Sequence, residues 1–159
     1  MKKLIWGMSL ILILGISSLG LAANSHTVTV TINSFARVSV TGSASVTIYE
    51  NDFVDGYANK DLNSDVQITV RTNTKSGCKV YASASNDFSN TFPVSKLKAK
   101  VNTAGTSYLP LATTQVELAN FSGIQNNNYS VLFRLEELPE TEAAGNYSTI
   151  ITYTAAVNS

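Results

Sequence analysis

The residues most able to do chemistry lie in Asp61-Leu62-Asn63-Ser64-Asp65, where Asp61, Asn63 and Asp65 set oxygen-bearing side chains at alternate positions. That spacing makes them a candidate calcium site, because calcium takes about six to eight oxygen ligands and carboxylates supply them best. An EF-hand loop would also need glycine sixth and glutamate twelfth, and Val66 and Thr72 stand there. A non-EF site would have to recruit Asp52 or Asp55; otherwise the three residues serve as turn formers leading into the next strand.

Two groups of carboxylates could pair as acid and base, as in glycoside cleavage: Glu50, Asp52 and Asp55 in one stretch, and Glu136, Glu137, Glu140 and Glu142 in another. Neither sits in an apolar run that would raise one pKa, so both read as solvated surface. His26 is the only histidine, which removes Ser-His-Asp catalysis and histidine-based metal sites. Glycine-rich phosphate loops and cysteine metal knuckles are absent, no cofactor is expected, and the chain reads as non-enzymatic.

The elements around these residues are strands. Residues 1–23 read as a secretory signal, with Lys2 and Lys3 ahead of the apolar run Leu4 to Ile16 and with Gly20, Ala22 and Ala23 near the cleavage point. The mature chain is expected to begin near Asn24, to be secreted to the periplasm, cell surface or medium, and not to span a membrane. Removing the two lysines leaves nine basic against eleven acidic residues, a net charge of −2, which excludes the basic footprint of a nucleic-acid binder. Cys78 stands alone, so the domain must be held by its core and not by an internal disulfide.

Period-two alternation runs through residues 24–159 and predicts a single all-β domain, an antiparallel β-sandwich of about seven to nine strands. Val28, Val30 and Ile32 alternate with threonines as a first strand, and Phe35, Val38 and Val40 continue it. Val46 and Ile48 predict a short strand, and residues 50–64 a long loop. Val66, Ile68 and Val70 should form a hairpin with Cys78, Val80 and Ala82 through a turn at Asn73–Gly77. Residues 85–93 read as a loop whose Phe88 and Phe92 fold back onto the core.

Leu97, Ala99 and Val101 predict a strand with Lys96, Lys98 and Lys100 on its wet face, and Gly105 a turn. Pro110 marks a sheet edge, Val116 and Leu118 a further strand, and Gly123 to Asn128 a turn. Val131, Phe133 and Leu135 precede an acidic loop at 136–142. Tyr147, Ile151 and Tyr153 share one face of a long terminal strand, with Ile150 on the other.

The ending Ala144-Gly145-Asn146-Tyr147-Ser148-Thr149-Ile150-Ile151-Thr152-Tyr153-Thr154, with the leader and the alternating segment from His26 to Ile32, resembles bacterial fimbrial (pilin) subunits and spore coat protein U-like secreted domains. The resemblance implies an immunoglobulin-like sandwich. In pilins one strand is missing and a neighbour's N-terminal extension completes the sheet, which would make Val28, Val30 and Ile32 the side chains that fill a neighbour's groove. The intradomain disulfide common in those families has no second cysteine here.

The first expectation for function is a structural or adhesive subunit of an extracytoplasmic assembly, partnered by copies of itself or by other subunits. The alternative is a secreted module that binds carbohydrate or another surface polymer through Tyr49, Phe53, Tyr57, Phe88, Phe92, Tyr108, Phe121 and Tyr129.

Overall fold

The computed structural model describes residues 27–103 and 106–159. The leader expected at 1–23, the start expected near Asn24, His26 and the turn expected at Gly105 lie outside the described residues. The chain divides into two units, Met1–Ile32 and Asn33–Ser159. In the first, residues 27–32 form no strand, and Val28, Val30 and Ile32 are 74%, 78% and 80% exposed. The first strand expected from their alternation is therefore absent from the described residues: alternation makes a segment fit to pair but supplies no partner.

The second unit is all-β, with antiparallel pairing throughout its ladders. Its strands are β1 (Ala36–Thr41), β2 (Ala44–Ser45), β3 (Phe53–Val54), β4 (Tyr57–Asp61), β5 (Asn63–Ser64), β6 (Gln67–Thr72), β7 (Cys78–Ala84), β8 (Leu97–Val101), β9 (Leu109–Pro110), β10 (Val116–Phe121), β11 (Gln125–Pro139) and β12 (Ile151–Val157). One sheet runs β1-β6-β11-β4-β3, with β8 on the far side of β11 and β9 beside β8. The long β11 organises it: its first half pairs β6, and its second half lies between β4 and β8. The other sheet is β10-β7-β12, and β2 and β5 make a small pair of their own.

The two larger sheets share one core. Ile68 and Val70 of β6 and Val131 and Phe133 of β11 meet Val80 and Ala82 of β7 and Leu118 of β10. Each fully buried valine or isoleucine contributes roughly 1.5–3 kcal/mol. β7 is buried at every second residue from Cys78 to Ala84 and half-buried between, as suits the central strand of its sheet. Burial pushes the Cys78 thiol up from its ordinary value, so it behaves as a small apolar side chain.

Several expectations are corrected. β6 and β7 do not form a hairpin: the Asn73–Gly77 turn carries the chain from one sheet to the other. Residues 50–64 are not a long loop, because Asp55 and Gly56 adopt φ of 52° and 82° and close a tight hairpin between β3 and β4. Asn126, Asn127 and Asn128 lie in β11 and not in a turn, with Asn128 Oδ1 accepting from Thr69 Oγ1 across the ladder. Glu136 and Glu137 belong to the same strand, at a bulge where Glu137 takes φ 53°. Phe92 is buried and stacks on Phe88, as their loop predicted. β9 with Pro110 pairs only β8, as an edge.

A groove between two unpaired edges

The acidic residues singled out by spacing are dispersed. Asp61 lies on β4, where its carboxylate accepts from Arg134 Nε at 2.6 Å and Nη2 at 3.2 Å; that guanidinium holds the carboxyl below its ordinary value. Asn63 lies on β5 opposite Ser45, and Asp65 Oδ1 accepts from Ser43 N–H. Among the described residues no three His, Cys, Asp or Glu side chains converge as a metal site requires.

Four of the candidate acid–base carboxylates, Asp52, Glu136, Glu137 and Glu142, are engaged as well. Asp52 accepts from Lys60 and from Tyr49 N–H, Glu136 pairs with Lys98, and Glu137 pairs with Lys96. Asp52 and Glu137 are both held below their ordinary values, chiefly by the lysine bonded to each. This is the opposite of what a neutral-pH general acid needs. The lysine face of β8, expected to be solvated, is half-buried, with Lys98 paired to Glu136 and with Lys100 and Arg134 set over the Tyr108 ring at 4.7 and 4.8 Å.

A groove of about 890 Å³ opens among the described residues. One wall descends through Val40, Val46 and Ile48, the continuation of β1; the other rises through Tyr147, Ile151 and Tyr153. Core side chains such as Val66, Phe133 and Leu135 form its floor. The groove therefore opens the interior between the sheets.

Both walls offer unpaired backbone. Ser85 N–H donates to Ile150 O, and Asn158 N–H donates to Gly77 O. An antiparallel strand turns its backbone groups to alternate sides, so Ile151, Tyr153, Ala155 and Val157 turn theirs away from β7. Among the described residues no strand makes a ladder with that edge of β12, although β1 packs close to it. On the other wall Ser43 O accepts from Asp65 N–H, so Gly42 and Ala44 turn theirs to the open side. The terminal strand expected from Tyr147 onward begins only at Ile151, because residues 147–150 have no ladder partner.

Of the predicted assembly residues, the structure brings Tyr147, Ile151 and Tyr153 together on one wall, while Val28, Val30 and Ile32 stand exposed in their own unit. Sequence reasoning missed Glu142 as the hub of a hydroxyl cluster; no local pattern signals it, since its partners Ser89 and Thr91 are some fifty positions away. Of the proposed sugar-binding aromatics, Tyr49 and Tyr57 are exposed, Phe121 stacks on Tyr129 at 4.6 Å, and Phe92 meets Tyr147 edge-on at 5.6 Å.

Tyr153 Oη is buried without a hydrogen-bond partner, and burial pushes the phenol well above its ordinary value. An unpaired buried hydroxyl costs about 1–3 kcal/mol. Tyr153→Phe should therefore leave the melting temperature unchanged or raise it, by up to about 1 kcal/mol in stability. Calorimetry showing a clear loss would mean that the hydroxyl is bonded.

No family model matches this chain, and no curated protein matches it. Among the described residues no helix is long and apolar enough to cross a membrane.

Proposed function

We propose that this chain is a non-enzymatic structural or adhesive subunit of an extracytoplasmic assembly, and that its groove accepts residues 27–32 of a second copy as an added β-strand. The observation that carries the reading is the open core: two unpaired edges flank a trench floored by Val66, Phe133 and Leu135. Backbone groups on such an edge give affinity, and every second side chain of the incoming strand fills a pocket.

The occupant is argued from the exposed segment Thr27–Ile32. Its Val28, Val30 and Ile32 lie on one face and its threonines on the other, so a single orientation hides three apolar side chains and leaves three hydroxyls in water. Six residues extend about 20 Å, the reach of the Tyr147–Tyr153 wall. Filling the groove in this way would complete an immunoglobulin-like sandwich, the fold that the fimbrial resemblance implies. Placement in the periplasm or at the cell surface follows from the leader-like pattern of residues 1–23.

A groove of this volume also falls in the range of small-ligand clefts, about 300–1,000 Å³, and exposed Tyr49 and Tyr57 keep the carbohydrate-binding reading as the alternative. The test is the state of the purified chain. Ladders of multimers that survive dodecyl sulfate are expected for strand addition between copies. A strict monomer at high concentration that binds glycans on an array would replace the assembly reading with the second one.

A further inference from the structure

We propose that Glu142 is a positioning residue that pre-forms the mouth of the groove by fixing residues 143–147 against the 89–92 loop. The inference rests on the acceptor reading and adds how that acceptor is held ready. Residues 143–147 belong to no strand, so no ladder sets their shape. Residues just beyond them have anchors of their own: Thr149 Oγ1 donates to Asn86 O, and Ser85 N–H donates to Ile150 O.

For residues 143–147 the anchor is the Glu142 carboxylate. Ser89 Oγ donates to its Oε1 at 3.0 Å and Thr91 Oγ1 to its Oε2 at 2.8 Å. Tyr147 Oη lies 3.0 Å from Oε1 and 2.6 Å from Ala143 O, its one hydrogen shared between them. This fixes the Tyr147 ring edge-on to Phe92, which stacks on Phe88, and both rings line the groove. Ser89 Oγ in turn accepts from Phe92 N–H, so the carboxylate ties the two segments through one continuous chain of bonds. An acceptor edge ordered before binding spares the incoming strand that ordering cost.

As an anion the carboxylate accepts from all three hydroxyls, and protonation makes one of its oxygens a donor and a weaker acceptor. From the 89–92 loop the groups reaching Glu142 are the uncharged Ser89 and Thr91, and from its own segment the titratable Tyr147. Asp87, on the same side, is engaged with Val94 N–H. The carboxyl is held below its ordinary value, first by the Thr91 bond and also by Ser89 and Tyr147. A lowered folded value means that the stabilisation is complete above the ordinary carboxyl range and is lost as pH falls through the folded value.

Hydrogen–deuterium exchange on the full chain reads the anchor directly, with intrinsic rates corrected for pH. In Glu142→Gln, the amides bonded within the two tied segments, Ser89 N–H to Phe92 O, Phe92 N–H to Ser89 Oγ and Glu142 N–H to Pro139 O, should exchange about tenfold faster while those of β7 stay protected. Wild type should loosen progressively as pH falls below the ordinary carboxyl range, and Glu142→Gln should change little over the same fall. Thr91→Val should loosen the segment less, and Glu140→Gln, outside the cluster, not at all. Multimer ladders should form more slowly with Glu142→Gln. Equal exchange in wild type and Glu142→Gln overturns the positioning role whatever the ladders do. Faster exchange with ladders at the wild-type rate overturns its link to strand acceptance. Absence of ladders from wild type itself sinks the acceptor reading, and the inference with it.

Discussion

Val30→Asp should abolish multimer ladders while leaving the fold of the 33–159 unit intact. Val30 is 78% exposed, so in the isolated chain the substitution touches no core and should change stability by less than about 0.5 kcal/mol. In the groove the same side chain would face Phe133, Leu135 and Ile48. An unpaired carboxylate there costs several kcal/mol, or more than about a thousandfold in affinity at 1.4 kcal/mol per decade. Thr29→Asp supplies the comparison, because a neighbouring residue of an extended strand points to the opposite face and its charge would stay in water. Size-exclusion chromatography and gel ladders check both. Equal loss in the two variants would mean that charge and not facing matters; ladders persisting in Val30→Asp would remove this segment as the occupant.

Gly77→Ala carries the largest expected effect on stability. Gly77 ends the crossing from β6 to β7 with φ +87°, a region that L side chains rarely adopt, and an added Cβ would collide with the backbone carbonyl of Phe121 at the end of β10. The same glycine bonds through its N–H to Thr74 O, and its carbonyl accepts from Thr74 Oγ1 and from Asn158 N–H. The backbone therefore cannot shift without breaking those contacts. A loss of about 3 kcal/mol is expected, roughly 10 °C in melting temperature. Gly56→Ala isolates the conformational part: Gly56 has φ +82°, but nothing lies within 4 Å of its added Cβ, so only about 1 kcal/mol should be lost. Equal losses in the two variants would show that the Phe121 contact gives way freely.

How much of this could be read from the chain alone differs by element. The apolar faces of β6, β7, β8 and β11 stand in the sequence as alternation, and burial follows it residue for residue. The long loop expected at 50–64 failed because Asn, Asp and Gly were counted as turn formers wherever they fell. Asp55 and Gly56 turn the chain and Asn51 and Asp52 sit in a 3-10 turn, but Asn59 and Asp61 lie in β4. The Asn126–Asn128 run failed for the same reason: polar residues on an outward strand face have the composition of a loop.

The all-β class, the single cysteine and the alternation of residues 27–32 were thus determined by residue order, because side-chain direction along a strand is a local property with period two; that 27–32 forms no strand and stands exposed was not. Which strands pair was decided by the tertiary structure. Backbone hydrogen bonds carry no residue identity, so the separation of β6 and β7 into different sheets leaves no mark on either strand. The groove has the same origin: its walls are strands and their extensions, and only the arrangement of the sheets leaves those two edges without a ladder partner among the described residues.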